Sequence, residues 1–203
     1  MLSCGARSQS TCNESSEKIV TFDEAKNPWR TRASREVYDN DWINVREDSV
    51  VRPDGESGIY GVVHFKNIAV GVLALEDDEV YLVGQYRYTL ERYSWEIPEG
   101  GCPEGEEPLG AAQRELEEET GLRAEKWEKL GEAHLSNSVS DELAVLFLAS
   151  GLTQGEHNPE GTEQLNVRRV PFNEALRMAL AGEMTDAMSL LAIFQYQLAR
   201  DRT

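Results

Sequence analysis

The 203-residue chain has no run of 18 apolar residues, so no transmembrane helix is expected. Its first 17 residues, MLSCGARSQSTCNESSE, contain no apolar stretch of the kind a secretory signal needs. A segment this polar is expected to be a disordered tail. Cysteine is scarce: Cys4, Cys12 and Cys102 are an odd number without metal spacing, so reduced thiols in a cytoplasmic protein are expected. The three histidines offer no pair at metal-binding spacing, and His64 and His134 read as ordinary sheet residues. Positive charge is also short, with 20 Lys and Arg against 37 Asp and Glu, a formal net charge of −17. Neither a nucleic acid nor an anionic membrane offers a partner for that charge. An anionic substrate is equally awkward unless metal ions come with it. The length suits one domain with a proper core, plus a small extra lobe.

What is present is concentrated in one segment. Residues 115–119 read Glu-Leu-Glu-Glu-Glu, four carboxylates in five positions, followed by Thr120 and Gly121. Pro108 suits the first position of a helix and Gly121 the position just beyond its end. A helix C-terminus already carries the negative end of the backbone dipole, so crowding carboxylates there is unfavourable unless something offsets them. A divalent cation is the obvious candidate. At about 100° per residue, Leu109, Ala112 and Leu116 fall on one stripe that should face a core. Glu115, Glu118 and Glu119 share a neighbouring face through i,i+3 and i,i+4 spacing, and Glu117 points away toward solvent.

Along the rest of the chain, residues 36–52 read as an extended strand pair, with Pro53-Asp54-Gly55 as a turn. Ile59–Phe65 is a strand. Ala69–Leu75 is nearly all apolar and therefore central. Asp77-Asp78 turns the chain into Val80–Arg87, and Trp95-Glu96-Ile97-Pro98 is an extended entry to the acidic segment. Lys126–His134, Leu143–Ala149 and Leu165–Val170 are further strands. Phe172–Ala181 reads as a helix capped by Asn173 and stopped by Gly182, and Thr185–Arg200 as a C-terminal helix. The sum is an α/β fold, a mixed sheet sandwiched by helices.

Gly100, five residues, Glu106, seven residues, and then Arg114-Glu115-Leu116-x-Glu118-Glu119-x-Gly121-Leu122 resembles the Nudix hydrolase box at every fixed position. A chance match in a chain of this composition is on the order of one in a million. The resemblance implies an α/β/α sandwich and a metal-dependent pyrophosphohydrolase. It implies that Glu115, Glu118 and Glu119, with the backbone carbonyl of Glu99, hold Mg²⁺ or Mn²⁺. Glu118 and Glu119 are then also catalytic. Gly100, Glu106, Arg114 and Gly121 match positions that mainly hold the loop to the helix. Residues 18–57 are then an N-terminal β extension serving dimerisation or substrate binding, and 58–203 the Nudix hydrolase domain.

Further elements resemble the ADP-ribose and nucleoside-diphosphate-sugar branch of that family. Gln85-Tyr86-Arg87 implies that Arg87 pairs with phosphate oxygens. Trp95-Glu96-Ile97-Pro98 implies that Glu96 touches the nucleoside or ribose. Trp42 sits where the branch places an aromatic, in an N-terminal strand, that stacks on the base; Tyr60 is a weaker candidate. The general base of that branch comes from a later loop, which aligns Glu163 with it, with Glu160 and Glu156 as fallbacks. Asn137 stands where ADP-ribose hydrolases carry a proline, which opens the preference to other sugars, GDP-mannose included. Ser136, Asn137 and Glu142 offer polar groups suited to a sugar and fit a plain turn equally well. The expected reaction is hydrolysis of a nucleoside-diphosphate sugar to a nucleoside monophosphate and a sugar phosphate, by a homodimer. The alternatives are a Nudix hydrolase of a dinucleoside polyphosphate or coenzyme A, and a non-catalytic nucleotide-sugar sensor.

Overall fold

The computed structural model describes residues 26–155 and 165–202. The expected tail at 1–17, with Cys4 and Cys12, and the loop carrying Glu156, Glu160 and Glu163 lie outside the described residues.

An antiparallel sheet of β1 (Arg30–Asp39), β2 (Ile43–Val51) and β3 (Ser57–Phe65) comes first. The seven-stranded sheet follows. It contains β4 (Ile68–Glu76), β5 (Glu79–Arg87), β6 (Arg92–Glu96), β7 (Glu99–Cys102), β8 (Leu122–His134), β9 (Leu143–Gln154) and β10 (Asn166–Pro171). Its spine runs β10-β5-β4-β9-β8, with β6 added beside β5 and β7 beside β4. Among the described strands of this sheet only β4 and β9 pair in parallel, which makes the sheet mixed.

Successive strand residues point to opposite faces. Val70, Val72 and Ala74 of β4 pack toward α1 (Pro108–Thr120) with Ala111, Ala112 and Leu116. Leu73 packs on the other side, against α2 (Phe172–Leu180) and α3 (Ala187–Arg200), with Phe172, Met188 and Ile193. Burial on both faces explains why β4 reads as an uninterrupted apolar run. The fold is therefore the expected α/β/α sandwich.

Several local expectations are corrected. The first strand begins at Arg30, and β1 and β2 are joined by a turn at Asn40–Trp42 inside the expected strand pair. There the Asn40 side-chain oxygen accepts from the backbone N–H groups of Trp42 (2.9 Å) and Ile43 (2.8 Å). All ten residues of β1 are exposed, so no buried alternation marks where it starts. Leu109 is 39% exposed and lies off the buried stripe of α1. Asn173 does not cap α2; Pro171 holds the N-cap position and Asn173 lies within the helix. The capped helix is α3, where Asp186 Oδ2 accepts from Ser189 N at 2.7 Å.

Candidate active site

The acidic segment is folded as its spacing requires. Pro108 starts α1, and Gly121, at φ 70°, closes it by donating its N–H to the Glu117 carbonyl at 2.8 Å. Glu115, Glu118 and Glu119 line one cavity of ≈ 480 Å³ together with Gly100, Gly101 and Trp42. Glu117 is turned away from them, as expected, but it is not left to solvent. Its carboxylate accepts from Arg123 Nε at 2.8 Å and Nη2 at 2.5 Å, which holds its pKa below the usual carboxylate range.

Facing α1, β7 pairs with β4 through Glu99↔Gly71, Gly100↔Val70 and Gly101↔Ala69. This pairing carries the backbone of Gly100 directly under the Glu115 carboxylate. A Cβ at residue 100 would stand 2.1 Å from Glu115 Cδ, so only glycine leaves room. Glu99 N–H donates to Glu119 Oε2 at 2.9 Å, fixing the buried Glu119 against the strand. Arg114 ties loop to helix: Nη2 donates to the Gly101 carbonyl (2.8 Å) and to Glu106 Oε2 (3.2 Å). Its Nη1 also reaches Glu115 Oε1 (2.8 Å) and Glu118 Oε2 (3.1 Å), contacts the spacing did not announce. Burial alone would lower the Arg114 pKa, yet hydrogen bonds to Glu106 and Glu115 raise it, so its charge is permanent.

A second cavity of ≈ 360 Å³ shares Trp42, Asn67, Glu99, Gly100 and Gly101 with the first and continues toward Gln85, Arg87 and Glu142. Both volumes lie in the ~300–1,000 Å³ range of small-molecule sites. Gln85 and Arg87 alternate with Tyr86 on β5, and Glu96 enters from the paired strand β6 opposite Val83, on the same face. Arg87 is gripped on two sides. Its Nε and Nη2 donate to both oxygens of Glu96 at 2.5–3.0 Å, and Nη2 also donates to Glu99 Oε1 at 2.5 Å. Its Nη1 donates to no acceptor among the described residues, and the side chain lines the cavity with a third of its surface exposed. Burial would lower the Arg87 pKa, but the bonds to Glu96 and the charge of Glu99 raise it.

The turn before β9 is fastened to β3. Val63 N–H donates to the Val139 carbonyl (2.8 Å), and Asp141 accepts from Phe65 N–H (3.0 Å) and meets His64 Nδ1 at 2.6 Å. The next residue, Glu142, thereby enters the second cavity, where burial and the charge of Asp186 push its pKa up. Asn137 sits exposed in the turn and lines neither cavity. Tyr60 is likewise remote: it packs edge-on against Trp29 and donates to the Ser138 carbonyl at 2.6 Å. Trp42 reaches both cavities, but from the β1–β2 turn rather than from a strand, and is 67% exposed.

Sequence reasoning missed three side chains here. Asn67 lines both cavities from the short β3–β4 link, which carries no motif. Asp186 is the N-cap of α3, and nothing in its local sequence marks it beyond that position. The Glu99 side chain, valued only for its backbone, is buried among carboxylates. Burial, then the charges of Asp186 and Glu96, hold its pKa well above the usual range despite Arg87.

The donor set fits a divalent cation. Carboxylates dominate the shared opening, Arg114 and Arg87 being the cations that line it among the described residues. Both are already paired with carboxylates, so a diphosphate entering here needs further positive charge. Comparison with known proteins agrees. The NUDIX domain model matches residues 65–191, and the nucleoside diphosphate sugar hydrolase N-terminal domain model matches residues 29–63. An ADP-ribose pyrophosphatase of Bacillus subtilis (strain 168) is 35% identical over 172 residues, covering 83% of this chain and 92% of that protein. Another, from Mycobacterium tuberculosis (strain ATCC 25618 / H37Rv), is 32% identical over 174 residues, covering 83% of each. The methanol dehydrogenase activator of Bacillus methanolicus is 30% identical over 173 residues, covering 83% of this chain and 92% of that protein. A crystal structure of an ADP compounds hydrolase superposes with a TM-score of 0.78 at 20% identity, covering 86% of this chain and 95% of that one, and so shares the fold. With the box, the glycine floor and both domain models in one chain, the protein belongs to the Nudix hydrolase family, in its nucleoside-diphosphate-sugar pyrophosphatase branch.

Proposed function

We propose that the protein hydrolyses the diphosphate bond of a nucleoside-diphosphate sugar, ADP-ribose or GDP-mannose being representative, to a nucleoside monophosphate and a sugar phosphate. The observation that carries this reading is the glycine floor at residue 100 beneath Glu115, Glu118 and Glu119, opening between Trp42 and Arg87. Glu115, Glu118, Glu119 and the Glu99 carbonyl hold Mg²⁺ or Mn²⁺. A divalent ion there supplies charge neutralisation and an activated water. The residues supply position. Arg87, its planar fork fixed by Glu96, keeps Nη1 for a phosphate oxygen. Trp42 offers its exposed ring to the base, and Glu142 accepts from sugar hydroxyls.

Glu163 is the general base. Glu163→Gln should lower kcat by at least ~10²-fold, the usual scale for removing acid–base catalysis, with KM little changed. Turnover within a few-fold of wild type rejects that assignment. The protein acts as a homodimer, because β1 exposes all ten residues, Val37 and Tyr38 among them, on a strand that a second copy can cover. Its location is cytoplasmic, consistent with the lack, among the described residues, of a helix long and apolar enough to cross a membrane.

The test is release of nucleoside monophosphate from a panel of diphosphates with Mg²⁺ or Mn²⁺. Nucleotide sugars should be turned over faster than dinucleoside polyphosphates or coenzyme A. Saturable binding without hydrolysis of any of them refutes the enzymatic reading.

A further inference from the structure

Behind the strand that floors the candidate active site lies a second group of carboxylates, none from α1. Glu96 closes β6, Glu99 opens β7 and Asp186 caps α3. Ser189 Oγ, one turn into α3, accepts from Ile97 N–H at 2.9 Å and so pins the β6–β7 corner to that helix. Each of the three carboxylates offers one oxygen within 4.8 Å of the others.

Glu96 and the Glu99 side chain are buried, Asp186 is half-buried, and among the described residues the cluster is short of positive charge. The side chains of Glu96 and Glu99 are 2% and 9% exposed. Among the described residues Arg87 is the cation bonded to them, and its donors are directed at both oxygens of Glu96 and at Oε1 of Glu99. Glu99 Oε2 is sealed from solvent and accepts no hydrogen bond among the described residues. The same carboxyl lies beside that of Asp186, which as a carboxylate has no proton to donate to it. With all three carboxylates ionised, one guanidinium leaves two negative charges, and charge of one sign taken out of water is unfavourable unless it is compensated. One divalent cation brings the sum to zero. The spacing agrees: oxygens around an octahedral ion at ~2.1 Å lie ~3 Å apart when adjacent and ~4.2 Å apart when opposite.

We propose that Glu96, Glu99 and Asp186 form a second divalent-cation site, separate from the one on α1. The Glu99 backbone is shared between them: its side chain serves this site, while its N–H holds Glu119 of the other. An ion bound here fixes the strand on which the first site rests.

The experiment counts ions on the full-length protein, with Mn²⁺ as the only added ligand, by equilibrium dialysis and by the loss of free-ion EPR signal. Asp186→Asn removes the charge yet keeps a side chain that caps helices well. It should bind one Mn²⁺ per chain fewer than wild type. The triple variant Glu115→Gln, Glu118→Gln, Glu119→Gln should retain one tightly bound ion, and adding Asp186→Asn to it should abolish that ion. Glu99→Gln repeats the test at the unpartnered oxygen if Asp186→Asn does not fold. Wild-type stoichiometry and affinity in the folded single variants, or no ion left on the triple variant, overturns the proposal in favour of a proton shared between Glu99 and Asp186. Because no substrate is present, the outcome is independent of whether the protein cleaves nucleotide sugars.

Discussion

Gly100→Ala adds a single methyl group to the floor of the candidate site. That carbon would stand 2.1 Å from Glu115 Cδ and 2.2 and 2.4 Å from its two oxygens, where real contacts do not fall below 3.0 Å. The backbone at residue 100 is not in the left-handed region, so alanine itself meets no conformational strain. The obstructing group is the far end of a side chain, which can swing away, so the fold should lose no more than ~1–2 kcal/mol, within the range of overpacking substitutions. The carboxylate, however, must retreat by roughly 1 Å or more, while metal–ligand distances tolerate only about ±0.2 Å. Misplacing a reacting group by 1 Å costs on the order of 10²-fold in rate. Gly100→Ala should therefore melt near the wild-type temperature but lose ~10²-fold in kcat/KM and need more Mg²⁺ for half-maximal activity. The assay is monophosphate release across a Mg²⁺ series, beside a thermal melt of the same preparation. Activity within three-fold of wild type at low Mg²⁺ would show that Glu115 does not hold the ion from this face.

Arg87→Ala leaves Glu96, 2% exposed, without its guanidinium partner; breaking a buried pair costs about 3–5 kcal/mol, and the partial exposure of Arg87 places the expected loss at the lower end. Urea unfolding checks this, and a loss below ~1 kcal/mol shows the pair to be dispensable. Trp42→Ala should raise KM for the nucleotide substrate several-fold and leave stability unchanged, because the ring is 67% exposed; equal KM values remove Trp42 from the site. Burial pushes the Asp141 pKa up, but bonds to His64 and Phe65 N–H outweigh it and hold the carboxyl below its ordinary value. The stability this group contributes is thus present above the unfolded pKa of ~3.9 and lost as pH falls through the folded value. The stability gap between wild type and Asp141→Asn should be open at pH 6 and close toward pH 3; a gap that widens on acidification contradicts the sign.

Much of the candidate site is legible in the sequence. Pro108 and Gly121 bound a helix, and 3.6-residue periodicity is local, so the shared face of Glu115, Glu118 and Glu119 followed from spacing alone. The central position of β4 followed from its unbroken apolar run, because a strand buried on two faces has no polar side to show. Leu109 failed the same argument, since the first turn of a helix can overhang the sheet beneath it. β1 failed it because all of its residues face solvent and no burial pattern exists to be read.

What the sequence by itself determined is the candidate reaction centre: a box of fixed spacing, written on one helix and the loop before it, whose geometry depends on neighbouring residues. What only the tertiary structure decided is what surrounds that centre. The fork of Arg87 is gripped by Glu96 because β5 and β6 pair in one particular register. Glu99 turns its side chain away from α1 and toward Asp186, a residue that reaches the cluster only when α3 packs against the sheet. Asn137 stays at the surface while Glu142 turns inward, because Asp141 is clasped by His64 and Phe65. The contacts of Glu99 with Asp186 and of Asp141 with His64 join residues far apart in the chain, that of Arg87 with Glu96 depends on strand pairing, and no local periodicity encodes which of them meet.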